Sequence, residues 1–370
     1  MAHLTTEPAN YQNQLDHKAE RLTAMLSPFY TNNLEVFASP IEFYRMRAEF
    51  RVWHDGDDLY YIMFDPETRE KIRIDAFPVA NQLINTLMPR LLAYIRSRPV
   101  LRSKLFQVEF LTSTSNQALI SLLYHRQLDA DWEAAACELK DHLQAIAAID
   151  IVGRARKQKV CVDKDWITET LSIAGKPFHF QQVENSFTQP NAAVNQHMIE
   201  WALAATACAS EDSNHDLLEL YCGNGNFSLP LAQNFRQVLA TEISKTSVNS
   251  ARYNCQLNAI ENVTLVRMSA EDFSAVMAGE KSSRRADEAN LDSFNCQTVL
   301  VDPPRAGLDD DTIELVRNYD TIVYISCNPE TLVENLTSLT RTHNVEQAAL
   351  FDQFPYTHHM EAGVLLKRKR

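Results

Sequence analysis

From about residue 186 onward, short apolar runs alternate with amphipathic stretches, and this alternation restricts the chain more than any other feature. The spacing predicts helix 191–208, strand 217–221, helix 227–235, strand 238–243, helix 245–258 and strand 263–268. Strand 298–301, helix 309–318, strand 321–326, helix 329–342 and closing strands near 345–353 and 359–367 follow. Parallel strands need long crossovers, which the helices supply, so a doubly wound seven-stranded sheet with its ligand at the carboxyl ends of the strands is expected.

The first half reads differently. Leu15, Leu22, Met25 and Leu26 place a helix within 10–30, and strands at 44–53, 59–64 and 71–74 surround an Asp55-Gly56 turn. A helix at 79–97, strands at 105–112 and 118–124, a helix at 130–148 and strands at 159–163 and 178–184 complete an α+β region without a nucleotide fingerprint. The expected division is therefore an α+β domain over 1–185 and an α/β domain over 186–370. Polar residues 279–295 read as a surface excursion.

No run of about 18 apolar residues exists, so no transmembrane helix is expected. The N-terminus has no basic segment leading into an apolar one, which makes the cytoplasm the default location. The seven cysteines (137, 161, 208, 222, 255, 296 and 327) are scattered and include no CxxC pair, which speaks against disulfides, zinc and iron-sulfur clusters. Nothing calls for an obligate protein partner. The net charge of −13 opposes a nucleic-acid partner, but the charge is uneven. Residues 1–180 hold 21 Lys and Arg against 23 Asp and Glu, and the remainder 14 against 25. Residues 76–108 carry Arg90, Arg96, Arg98, Arg102 and Lys104 and no carboxylate, and 153–159 form a second basic cluster. RNA binding is expected in the first half, with a solvated basic face as the plain alternative.

Only eight glycines serve 370 residues, so each is expected to answer a backbone demand. Gly223 and Gly225 follow the first strand of the alternating half, where a small-residue turn lets a cofactor approach the backbone. Ser228 stands where a dinucleotide fingerprint wants a third glycine, and Glu242 ends the next strand, placed to accept hydrogen bonds from a ribose. Together these favour S-adenosylmethionine. Asp302-Pro303-Pro304 breaks the fourth strand and holds a carboxylate at the same edge. Cys327 arrives there one strand later, and Glu361 starts the last strand. Neighbouring His358 and His359 face opposite sides of an extended chain and lack a third ligand, so no metal is expected. A thiolate, a methyl sulfonium and a carboxylate base are the parts needed to methylate carbon 5 of a pyrimidine, with Cys327 adding to C6 and Glu361 taking the C5 proton.

The strings LYCGNGNFSLPLA, DPPRAGL, YISCNPETL and FPYTHHMEAGVLL, with FxSPxxxYRMRAEFRVWHDGDDLYY ahead of them, resemble the RNA uracil-5 methyltransferase family over most of the chain. The resemblance implies a Rossmann-like S-adenosylmethionine-dependent methyltransferase domain preceded by an RNA-binding domain. It implies thymine-forming methylation of the T-loop uridine in the tRNA T-arm, and of T-loop-like RNAs such as tmRNA. Cys327 is the implied nucleophile and Glu361 the proton acceptor, with cofactor contacts from Gln189, Tyr221, Asn226, Glu242 and Asp302 beside the Gly223 turn. Family members acting on ribosomal RNA often carry a four-cysteine cluster in the first half; here the first cysteine is Cys137, which favours the tRNA-acting branch. Arg45, Arg47, Arg51, Arg102, Lys104 and Phe106 are the expected RNA contacts, cations for phosphates and the aromatic for stacking. Nitrogen methylation with a structural Cys327, cytosine-5 methylation, and a non-catalytic tRNA-binding factor remain as alternatives.

Overall fold

The computed structural model describes residues 6–65, 68–207 and 215–370, so Cys208 lies outside the described residues. The chain folds into two compact units. Residues up to Pro8, Pro40–Thr170 and Gln182–Ala192 form the first; Ala9–Ser39, Leu171–Gln181 and Ala193–Arg370 form the second. Relative to a single division at 185/186, helix Tyr11–Leu26 and residues 171–181 lie with the second unit.

The first unit is built on a seven-stranded sheet in the order Lys71–Ile74, Asp58–Phe64, Arg47–Asp55, Leu105–Thr112, Gln117–Tyr124, Ala148–Ala155, Gln158–Cys161. All neighbours are antiparallel except Gln117–Tyr124 and Ala148–Ala155, whose parallel pairing requires the crossover helix Ala130–Leu143. That helix buries Trp132 against Gly153, where an added Cβ would lie 2.3 Å from the indole, so no larger residue fits. Phe50, Tyr61, Phe77 and Phe110 pack ring to ring beneath the sheet. The helix expected over 130–148 ends at Leu143, and Ala148–Ala155 is a strand, because pairing with Gln117–Tyr124 overrides the helical pattern of the apolar run. The hairpin Trp166–Ile173 and Lys176–Val183 is a separate two-stranded sheet.

The second unit carries an eight-stranded sheet in the order Glu35–Phe37, His343–Phe351, Glu361–Arg368, Thr321–Ser326, Cys296–Val301, Asp216–Leu220, Val238–Glu242, Val263–Arg267. Only Glu361–Arg368 runs antiparallel to its neighbours. All seven expected strands are present, in a Rossmann-like sheet. The eighth, Glu35–Phe37, is a three-residue edge strand contributed from the N-terminal part of the chain, too short to show a period. Helices Lys245–Leu257, Asp310–Val316 and Pro329–Leu339 are capped by Ser244, Asp309 and Asn328, whose side chains accept from backbone N–H groups in the first turn. Strand order reverses between Asp216–Leu220 and Cys296–Val301, which puts the ligand crevice between them. Among the described residues, no helix is long and apolar enough to cross a membrane.

Helix Tyr11–Leu26 is tied down by Lys18, which donates to Asp352 Oδ1 at 2.7 Å and to the carbonyl of Phe354 at 2.9 Å. This buried pair fixes the chain where it leaves strand His343–Phe351 and turns toward Glu361.

Glu219, in the middle of strand Asp216–Leu220, is fully buried and accepts from the Ser228 hydroxyl. Burial pushes its carboxyl up to about 8, well above an unfolded chain's value. A raised acid binds its proton more tightly when folded, so its stabilising contribution is full below the unfolded value and is lost as pH rises toward 8. Melting temperature should therefore fall as pH rises from about 5 to 8, and Glu219→Gln should flatten part of that slope in a calorimetric series; an unchanged slope would show Glu219 ionised in the fold.

Candidate active site

The turn after strand Asp216–Leu220 is left-handed at Tyr221 (φ 63°), Gly223 (φ 56°) and Gly225 (φ 87°). A Cβ on Gly225 would lie 2.2 Å from the buried Leu229 side chain, whereas at Gly223 nothing stands within 4 Å. Gly225 is thus fixed by packing, and Gly223 leaves an open hollow over its backbone. Glu242 closes the next strand and joins two turns: Gly223 N–H donates to its Oε2 at 3.1 Å and Ser244 N–H to its Oε1 at 2.7 Å. Asn226 and Asn195 exchange amide hydrogen bonds of 2.8 and 2.9 Å, which fixes the Asn226 amide. Buried Asn254 braces the turn by donating to the Asn224 carbonyl at 3.0 Å and accepting from Gln181 N–H at 2.7 Å. A glycine hollow, a strand-end carboxylate held by backbone donors and an oriented amide suit a nucleoside carrying a ribose diol and a cationic sulfur. S-adenosylmethionine would sit against Tyr221, Gly223, Asn226 and Glu242, with Asp302 across the crevice.

The reactive corner is set by strand register. Ser326 pairs with Ala362, so Cys327 and Glu361 emerge side by side, and Val301 pairs with Tyr324, so Asp302 leaves the next strand at the same sheet edge, two residues short of Cys327; the three strands are adjacent and about 5 Å apart. Glu361 is buried. Burial, with Asp302 beside it, raises its carboxyl well above the usual carboxylate range. Asp302 is itself pushed up to about 7 by burial. The Cys327 thiol, half-buried, is raised to about 11, first by burial and then by Glu361 and Asp302, while Arg305 favours ionisation of both the thiol and Glu361. Burial and mutual repulsion thus disfavour ionisation in this corner, and positive charge favours it.

Two loops carry these groups. Asn335 accepts from Leu308 N–H at 2.9 Å and from the Tyr324 hydroxyl at 2.7 Å, pinning the Asp302–Leu308 loop. A Cβ on Gly307 (φ 77°) would fall 2.8 Å from Asn335 Oδ1. Asn328, next to the thiol, donates to the Arg305 carbonyl at 3.0 Å, and the Arg305 guanidinium lies 2.9 Å from His359 Nδ1. Close packing of Gly363 on Phe351 and Trp201 seats the final strand. Glu219, Asn254 and Asn335 were missed by the sequence reading. An acid inside the apolar run Leu217–Leu220 was a usable signal for Glu219; the two asparagines gave none.

The expected RNA residues divide by environment. Arg45 donates to the Arg47 carbonyl at 2.9 Å and Arg47 to the Ser186 carbonyl at 2.8 Å. Both are half-buried, and both brace the first unit. Gln189 lies half-buried in the segment that Arg47 holds. Arg102 donates to the Gly56 and Asp58 carbonyls, gripping the hairpin. Lys104 and Arg51 are exposed, and Arg51 sits 5.4 Å above the Phe106 ring. Phe106 stacks on exposed His125 at 3.9 Å and borders a cavity of about 620 Å³ that Arg126, Arg154 and Arg156 also line. His125 and Arg126 were not among the sequence candidates. Among the described residues no cluster of three or more His, Cys, Asp or Glu is arranged to hold a metal.

The sequence matches the family profile described as tRNA (Uracil-5-)-methyltransferase over residues 10–369. It is 58% identical over 369 residues to a protein of Idiomarina loihiensis, covering 100% of both chains, and 56% identical to one of Erwinia tasmaniensis, covering 97% of both. Both carry the name tRNA/tmRNA (uracil-C(5))-methyltransferase. In structure the chain is similar to the Pyrococcus abyssi tRNA (uracil-54, C5)-methyltransferase solved with S-adenosyl-L-homocysteine. The TM-score is 0.72 at 20% identity, covering 96% of this chain and 83% of that one, which establishes a shared fold.

Glu242→Ala removes the acceptor of two backbone hydrogen bonds along with the carboxylate expected to meet a ribose. S-adenosylhomocysteine binding by calorimetry should weaken roughly ten- to hundredfold, with the circular dichroism spectrum retained; unchanged affinity would remove Glu242 from the cofactor site.

Proposed function

The chain belongs to the tRNA (uracil-5-)-methyltransferase family, and from that premise we propose that it methylates the T-loop uridine of tRNA through a covalent bond from Cys327 to the base. It is an S-adenosylmethionine-dependent enzyme acting on carbon 5 of uracil in tRNA. The observation that carries the mechanism is the convergence of Asp302, Cys327 and Glu361 at one sheet edge, beside the Gly223 and Glu242 cradle.

Uracil C5 is too weak a nucleophile to take a methyl group unaided. Cys327, as the thiolate, adds through Sγ to C6, and the C5–C6 π pair moves toward the C4 carbonyl as an enolate. When bound, S-adenosylmethionine supplies the methyl group as an electrophile on a positively charged sulfur. The enolate's C5 takes the methyl and then bears both methyl and hydrogen. Glu361, ionised, removes that hydrogen as a proton; the pair left behind restores C5=C6 and expels the thiolate. Each residue must first shed its own proton. Arg305 assists both ionisations, against the burial that raises each group.

The first unit is read as the RNA-recognition part, in which Arg51, Lys104 and Phe106 present cations and a stacking face to unpaired nucleotides. Gln189 is assigned to the cofactor on the family resemblance. A cytoplasmic location and action on T-loop-like RNAs such as tmRNA complete the reading.

Cys327→Ala should lower methyl transfer by at least about a thousandfold while leaving tRNA and S-adenosylhomocysteine binding in place. Glu361→Gln should still form the adduct but stall at its resolution, so that a protein–RNA species survives denaturing electrophoresis. Transfer by Cys327→Ala at wild-type rate would point instead to nitrogen methylation.

A further inference from the structure

The polar excursion at 279–295 has a use that the methyl-transfer chemistry does not absorb. Its helix, Arg284–Ala289, packs over the sheet's edge strand, Val263–Arg267, with Ala286 buried and Arg285 Nη1 donating to the Arg267 carbonyl at 3.0 Å. Covering an edge strand is an ordinary need. The residues used to cover it are unusual for this unit.

Between this helix, the edge strand and helix Lys245–Leu257 lies a groove of about 400 Å³ lined by Lys245, Arg252, Arg267 and Arg285. Lys245, Asn249 and Arg252 share one helix face at i, i+4 and i+7. Residues 181–370 have 14 cations against 25 acids, yet four of those cations meet here. Of the other ten cations in these residues, Arg236, Lys281, Arg284, Arg317 and Arg368 each pair with a carboxylate, and the remaining five lie outside the groove lining. Among the described residues none of the four groove cations pairs with a carboxylate. Arg252 and Arg267 instead donate to the carbonyls of Leu265 and Ile243, which holds their guanidinium groups without neutralising them. The carboxylate that lines the groove, Glu288, is paired with Arg284.

Four cations kept apart from carboxylates in an acidic unit form a site for anions. Arg267 pairs in register with Glu242, so the groove flanks the carboxyl edge of the sheet where the cofactor cradle sits. We propose that this groove binds phosphodiester groups of the tRNA, giving the catalytic unit its own grip on the RNA backbone. The proposal rests on tRNA being the substrate, and it departs from the expectation that RNA contacts are confined to the first half.

The test is fluorescence anisotropy of full-length unmodified tRNA against Lys245→Glu/Arg252→Glu/Arg285→Glu over a salt series, with S-adenosylhomocysteine affinity as the check on folding. Affinity near 0.1 M salt should fall about tenfold or more, and the slope of log K against log salt should shrink by about 2 to 3. Arg252→Lys/Arg285→Lys, which keeps the charge, should stay near wild type. Unchanged affinity and slope with cofactor binding intact would overturn the proposal. If charge reversal disturbs cofactor binding, Lys245→Gln/Arg252→Gln/Arg285→Gln is read by the same criteria. Formation of 5-methyluridine by the wild type is scored separately: its absence, with the slope change present, would sink the methylation reading and leave the groove an RNA site.

Discussion

The register between strands Thr321–Ser326 and Glu361–Arg368 is the constraint from which the chemistry follows. It sets the last strand antiparallel in an otherwise parallel sheet, so that Glu361 starts where Ser326 ends and lands beside Cys327. The parallel neighbour ends at Val301 opposite Tyr324, so Asp302 follows on the same sheet edge, two residues short of the level of Cys327. Three acidic groups in a poorly solvated corner disfavour one another's ionisation, and each is raised above its ordinary value. Raising the Cys327 thiol lowers its thiolate fraction, and the thiolate is the form that reacts. Arg305, fastened through Asn328 and facing His359, is the built-in counterweight.

The supporting structure consists largely of side chains that serve backbone. Glu242 bridges two turns, Asn254 braces one of them, Asn335 pins the proline loop and Lys18 anchors the approach to the last strand. Each satisfies backbone or charged groups that irregular turns would otherwise leave unpaired, at a cost of about 1–3 kcal/mol for each buried one. Loops held this way keep the reactive groups in place, so catalysis need not wait for them to be ordered.

Much of this was legible in the sequence, for identifiable reasons. The alternating half shows its strands because parallel strands buried on both faces are apolar runs with helices between. Gly223, Gly225 and Asp302-Pro303-Pro304 announce their turns because few other residues adopt those conformations. What stayed hidden depends on distant partners. Edge strand Glu35–Phe37 exists only by pairing with His343–Phe351, and the buried asparagines are indistinguishable in sequence from surface ones. That Arg45 and Arg47 each donate to a backbone carbonyl of the first unit could likewise not be read from the sequence. Composition alone also hid the basic groove, because its four cations come from three segments of an acidic half.

The central claim is that Cys327 and Glu361 carry out carbon-5 substitution on uracil. Its most direct test is tritium release from a tRNA transcript containing [5-³H]uridine, with and without S-adenosylmethionine, followed by nucleoside analysis. Carbon-5 substitution by these residues gives release that depends on the cofactor and matches the yield of 5-methyluridine one for one. Methylated nucleoside formed without tritium release, or no release despite measured binding of RNA and cofactor, would contradict it.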